Sequence, residues 1–198
     1  MAVRPLATTR SATGVPTGRL AVWWIIVSEI VIFGGLLASY IMYRLAHDAW
    51  ADQAAHTNLL AGSVNTFILL TSSLAAVLAH SAAVERDGPR AARLLGLTML
   101  GGVGFITVKA FEWAHEIEHG FTITANAFDS TAFVFWSFYY TAAGLHALHV
   151  IAGVVIMGIV AWAARKGEEL HRVELIGIYW HFVDVIWIFL FPLLYIAR

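Results

Sequence analysis

The sequence contains no cysteine. Disulfides, iron–sulfur clusters, thiolate copper centres and c-type haem attachment are therefore excluded from this chain. Charge is also scarce. Only 13% of the 198 residues are Asp, Glu, Lys or Arg, about half the share in ordinary soluble domains. The formal net charge is −1, so there is no footprint for nucleic acid or for an anionic surface. Internal repeats, a glycine-rich nucleotide loop and a large soluble domain are missing too.

What is present is apolar. Sixty per cent of the residues are hydrophobic and the mean hydropathy is +0.74. Five apolar runs, at about 20–43, 59–83, 94–113, 133–164 and 175–196, each approach or exceed the roughly 20 residues that a bilayer demands. They lack the period-two alternation of barrel strands and are much longer than such strands. The predicted fold is all-α: a polytopic membrane protein whose residues 19–198 form a single bundle of five transmembrane helices. Residues 1–18, with Arg4, Arg10 and no acid, read as a flexible basic tail. The same composition suits a transit peptide. The fourth run is long enough to require tilt or projection from the membrane, and Pro192 is placed to kink the last helix.

Orientation follows from the cations. Arg4, Arg10, Arg19, Arg86, Arg90, Arg93, Arg165, Lys166 and Arg172 fall on one side, against Arg44 and Arg198 on the other, with Lys109 inside a span. The imbalance predicts a cytoplasmic N-terminus and a periplasmic C-terminus.

Candidate functional residues are those that are polar at depth. Glu29 lies about 15 Å beyond Arg19 along a helix, near the middle of the hydrocarbon. It reads equally as a proton-exchanging or lipid-contacting carboxyl and as a carboxyl bonded to a neighbouring helix; Gly34 and Gly35, a turn onward, suggest a close helix approach. Lys109 and Glu112 are spaced to neutralise one another. Glu112 and His115 have the spacing of a di-iron ligand pair, but such a site requires two copies and further carboxylates, so a solvated acidic helix end is expected instead. His146 and His149 share a face, and His146 and His181 reach similar depths, a geometry open to bis-histidine haem ligation. Ordinary packed histidines fit the same pattern. Asn65, Thr66, Ser72 and Ser73 suit interhelical hydrogen bonds. Asp184 would cost about 2.5–3.5 kcal/mol if charged at bilayer depth. It stands three residues after His181, so the two are expected to form a polar pair holding the last helix, with Trp180 and Trp187 shielding it from lipid.

Four segments, in order, resemble the cytochrome c oxidase subunit III family: Ser28-Glu29-Ile-Val-Ile-Phe33, Lys109-Ala-Phe-Glu112-Trp, Gly144-Leu-His-Ala-Leu-His-Val-Ile151 and Trp180-His-Phe-Val-Asp-Val-Ile-Trp187. The resemblance implies a non-catalytic subunit of a haem–copper terminal oxidase in the bacterial inner membrane. Its expected partners are subunit I, subunit II and membrane lipid. Haem and copper belong to the partner subunits, this chain holds no metal or redox cofactor, and the resemblance leaves room for a bound phospholipid. The implied role is to stabilise subunit I and support proton uptake while electrons pass from cytochrome c to oxygen. Glu29 matches the family's membrane-buried carboxyl, and His146, His149, His181 and Asp184 match motif residues at helix contacts. Three features depart from the familiar form: five spans rather than seven, without the two that wall a lipid-filled cleft; Lys109 where an uncharged polar residue is usual; and Pro192. A similar small protein of nitric oxide reductases and a small membrane cytochrome b are the alternatives.

Overall fold

The computed structural model describes residues 16–47, 50–123 and 130–196; most of the expected tail, and Arg198, lie outside the described residues. The described elements are helices α1 (Thr17–Ala46), α2 (Trp50–Ala54), α3 (Leu59–Val84), α4 (Gly88–Glu118), α5 (Ser130–Arg165) and α6 (His171–Phe191), followed by a π-helical turn, Pro192–Ile196. All but α2 and the turn are long and apolar enough to cross a membrane. The expected five-helix fold is present, with α2 as an additional short helix.

Local chemistry sets several boundaries. The Asn58 side chain accepts from the Ala61 N–H at 3.0 Å and the Asp87 side chain from the Arg90 N–H at 3.0 Å, capping α3 and α4. Pro89 occupies the first turn of α4, where a missing N–H costs no helix bond. Gly88 is required for another reason. A Cβ there would lie 2.2 Å from the Ala164 carbonyl oxygen, so only glycine lets the α3–α4 turn rest on the end of α5. At the other end, Pro192 removes the donor that would continue α6, and the chain widens into the π turn.

Helices α3, α4, α5 and α6 pack in a ring, each against the next, and α1 lies outside it against α6 and α5. The buried face of α3 is built from small residues such as Gly62, Ala75, Ala76, Ala79 and Ala82, while Phe67, Leu70 and Leu74 point outward. That inversion of a soluble core suits a lipid solvent, where close backbone packing rather than hydrophobicity drives association. Helix α1 buries Ile26, Phe33 and Tyr40, a stripe repeating every seventh residue. It is anchored at both ends: Arg19 pairs with Glu174 at the start of α6, and the Tyr40 hydroxyl donates to the Leu193 carbonyl at 2.7 Å.

Candidate functional site

Three polar assemblies interrupt this apolar bundle. The first joins α1 to α5. Glu29 Oε2 lies 3.1 Å from His149 Nε2, with both side chains mostly buried. The contact is off-axis for a hydrogen bond. His149 Nδ1 stands 2.8 Å from the Leu145 carbonyl, and a carbonyl can only accept, so Nδ1 carries a hydrogen. Nε2 and the carboxyl oxygen would then repel unless one proton lies between them, as imidazolium with carboxylate or as imidazole with carboxylic acid. The ring of Phe33 meets His149 edge-on at 5.6 Å, and the Tyr179 hydroxyl donates to the His149 carbonyl at 3.1 Å. Apolar grooves lie on both sides of the pair. One, of about 580 Å³, includes Val22, Ile25, His149, Ile156 and Tyr179. The other, of about 410 Å³, includes Glu29, Phe33, Gly34, Phe182 and Phe189. Gly34 and Gly35 do not make the close helix approach expected of them: a Cβ at either would meet nothing within 4 Å. Gly34 opens onto a groove instead.

The second assembly is a seam between α3 and α6. Trp180 Nε1 donates to Ser72 Oγ at 3.1 Å, Trp187 Nε1 donates to Thr66 Oγ1 at 3.0 Å, and His181 Nδ1 lies 2.6 Å from Ser73 Oγ. The serines and threonine of α3 are the interhelical partners anticipated. Asn65 is buried but has no hydrogen-bond partner among the described residues. The His181–Asp184 pair is not formed. His181 turns to Ser73 on α3, and Asp184 is buried beside the same serine. The i, i+3 spacing permitted the pair, but the Ser73 hydroxyl on α3 took the imidazole. Trp180 and Trp187, on either side of it along α6, are both buried and serve as interhelical donors.

His146 is fully buried between Phe105 and Trp187, each ring 5.2 Å away, with both nitrogens unbonded among the described residues. It faces α4 and Trp187, whereas His181 faces α3. The two imidazoles therefore look onto different neighbours, and a haem between them would have to displace packed aromatic rings. Among the described residues, no three His, Cys, Asp or Glu side chains gather as a metal site would require.

The third assembly closes the end of the bundle opposite the loops that carry most of the arginines. Lys109 Nζ donates to Glu112 Oε2 at 3.1 Å, to the Tyr139 hydroxyl at 2.9 Å and to the Tyr195 hydroxyl. The Tyr139 hydroxyl is placed to donate to Glu112 Oε1 at 3.0 Å or to Glu116 Oε1 at 2.8 Å. The expected Lys109–Glu112 pair is present, but the expected solvated helix end is not. Lys109, Glu112 and Glu116 are all buried, and of the ionisable side chains on this stretch His115, Glu118 and His119 are the exposed ones. Tyr139 and Tyr195 were not foreseen. The signal for Glu116 was its spacing, four residues after Glu112 and so on the same face.

These assemblies occupy the segments that carry the family resemblance. The sequence model of the family described as Cytochrome c oxidase subunit III matches residues 8–197. The chain belongs to the cytochrome c oxidase subunit III family. Among its relatives, Cytochrome c oxidase subunit 3 of Thermostichus vulcanus is 33% identical over 177 residues, covering 86% of this chain and 83% of the relative. The protein of the same name from Corynebacterium diphtheriae shows the same identity and coverage. An Aeropyrum pernix protein named Heme-copper oxidase subunit I+III is 31% identical over 192 residues, 90% of this chain and 22% of that longer one. Within a subunit III chain, the Glu29–His149 pair joins the Ser-Glu motif of α1 to the Gly-x-His-x-x-His motif of α5. The seam bonds place the Trp-His-x-x-Asp motif of α6 against α3. Family membership makes this a membrane component of a haem–copper oxidase, and the cytochrome b alternative loses its geometric basis at His146.

Proposed function

We propose that this subunit III packs against subunit I, in a complex with subunit II, and supports proton uptake and sustained turnover without carrying electrons itself. The host lies in the bacterial inner membrane, with the N-terminus in the cytoplasm and the C-terminus in the periplasm. Arg19, Arg86, Arg90, Arg93, Arg165, Lys166 and Arg172 support that orientation, since all sit at one end of the bundle. The joined I+III name of the Aeropyrum pernix relative supports contact with subunit I.

The observation that carries the proton-related part is the Glu29–His149 pair, an acid and a base 3.1 Å apart at membrane depth between two apolar grooves. A membrane-buried ionisable pair is functional by default because its insertion is costly. The site can hold one proton between carboxyl and imidazole and exchange it when α1 moves on its narrow contact with α5 and α6.

The test is Glu29→Gln in the assembled complex. The amide keeps the shape and some hydrogen bonding but removes the acid. The expected result is an initial oxygen-consumption rate near that of the parent and a faster decline over continued turnover. Unchanged decline and unchanged initial rate would leave Glu29 a packing residue. The copper and haem content of the same preparation checks the host: copper accompanies the oxidase reading, and its absence with retained iron would point to a nitric oxide reductase.

A further inference from the structure

The last turn of α4 reads His115-Glu116-Ile117-Glu118-His119. This is the His-Glu-x-x-His spacing, which sets two imidazoles on one face of a helix as a pair of metal ligands. Lys109, Glu112 and Glu116 point into the bundle, and the two histidines lie outside it. Helix α4 has 31 residues. That is about 46 Å of helix, against a hydrocarbon layer of about 30 Å, so its exposed last turn is in reach of water and of metal ions dissolved there. Charge favours such ions. Asp52 and Glu118 are exposed at this end of the bundle, whereas its cations among the described residues are Arg44 and the buried Lys109.

The two rings lie 4.1 Å apart between centroids, inclined at 48°. His119 Nδ1 is 2.8 Å from the His115 carbonyl. A carbonyl only accepts, so Nδ1 carries the hydrogen and, in the neutral ring, Nε2 keeps a free lone pair. A bond of this kind is the usual support of a metal-ligating histidine, because it fixes both tautomer and ring orientation. No hydrogen bond among the described residues holds the exposed His115 ring, so it is free to turn a nitrogen toward the same point. Nitrogens at zinc distances of about 2.0–2.1 Å stand about 3.3 Å apart in a tetrahedral shell, a separation that rings this close reach by side-chain rotation. The glutamate of the pattern does not join them. Glu116 is 2% exposed, and its Oε1 lies 2.8 Å from the Tyr139 hydroxyl inside the bundle. It is not placed to activate a metal-bound water, which separates the pair from a hydrolytic centre.

We infer that His115 and His119 form a clamp for an exchangeable divalent transition-metal ion of the zinc class, at the end of the bundle opposite the arginine-rich loops. Imidazole suits Zn²⁺, whereas Mg²⁺ and Ca²⁺ take oxygen ligands. No third His, Cys, Asp or Glu gathers beside the pair among the described residues. Water therefore completes the shell and the ion exchanges, unlike a structural zinc closed by four protein ligands. A bound ion ties together residues four apart on the final turn of α4, the turn that also holds Glu116, and so stiffens the helix end that closes the Lys109 cluster. The inference is independent of the role given to Glu29. It uses the proposed orientation only to call this end periplasmic.

The test uses the assembled complex, washed with chelator and then dialysed against rising free Zn²⁺ in excess Mg²⁺, with bound zinc counted by elemental analysis. The parent should take up an additional zinc ion that His115→Gln with His119→Gln does not. Each single substitution should weaken that zinc about tenfold or more. His47→Gln with His56→Gln removes as many histidines from the same end and should leave the zinc in place. None of the four side chains is buried, so the haem and copper contents of the variants, read on the same samples, should match those of the parent and show that assembly is unchanged. Undiminished zinc uptake in the His115 and His119 double variant would overturn the site. Equal losses in the two doubles would overturn it in favour of scattered histidine binding. Displacement by Mg²⁺ would overturn the imidazole assignment in favour of surface carboxylates.

Discussion

Lys109→Ala should prevent normal accumulation of the chain in an assembled complex. Lys109 is 1% exposed and is the cation of a cluster containing Glu112 and Glu116, at 4% and 2% exposure. Its three ammonium hydrogens are all used, on Glu112, Tyr139 and Tyr195. Removing it alone leaves two buried carboxyls without the charge that compensates them. Breaking a buried ion pair from one side costs about 3–5 kcal/mol, a large share of the roughly 5–15 kcal/mol that holds a typical protein folded. The cluster also fastens three elements together, because Glu112 belongs to α4, Tyr139 to α5 and Tyr195 to the C-terminal π turn. The same reasoning predicts rescue. Lys109→Met with Glu112→Gln and Glu116→Gln removes the charges together, and replacement of a buried ion pair by neutral groups is often close to neutral in energy. Membrane abundance of the chain, and the thermal midpoint of the purified complex, should fall sharply for the single variant and recover for the triple. A single variant as abundant and as heat-stable as the parent would show that Lys109 is not the compensating charge.

That cluster also marks how far a sequence can be read. The Lys109–Glu112 bond is local, three residues apart on one helix, so spacing alone proposes it. The two tyrosines lie 30 and 86 residues from Lys109, and no periodicity says which helices become neighbours. The His181–Asp184 pairing fails for the same reason. His181 and Asp184 were close enough along α6 to pair, yet the partner chosen was Ser73, 108 residues away. The helices themselves were legible because hydropathy depends only on local composition, and α2 was not, being too short for any such window. Motif resemblance supplied the family and the order of its segments. It did not supply the Glu29–His149 contact, which exists because α1 crosses α5 where Leu145 and Phe33 orient the imidazole.

Trp180→Ala should destabilise the bundle by about 3–5 kcal/mol, the usual cost of emptying a large buried aromatic site. Trp180 is fully buried and is the knob on which α4 and α5 close around α6. A Cβ at Gly102 of α4 would lie 2.7 Å from the far edge of its ring and 2.6 Å from a Val154 methyl, and one at Gly153 of α5 would lie 2.9 Å from the ring. Both glycines are therefore spaces cut for the indole. In lipid the loss is chiefly of packing contacts, since exposure of the helices to acyl chains carries little hydrophobic penalty. Trp180→Phe should cost less, because Ser72 Oγ still donates to the Leu69 carbonyl at 2.7 Å and is not orphaned by losing the indole N–H. Gly102→Ala should cost about 1–3 kcal/mol by overpacking. The decisive comparison is the double variant. Trimming the ring with Trp180→Phe makes room on one side of the new methyl, so Gly102→Ala with Trp180→Phe should be less damaging than the two single costs summed, by about 0.5 kcal/mol or more. Thermal midpoints of the four purified complexes measure this directly. Strict additivity would mean that the new methyl is accommodated by movement of Val154 or of the helices, and that the indole is not what sets the spacing of α4 and α6.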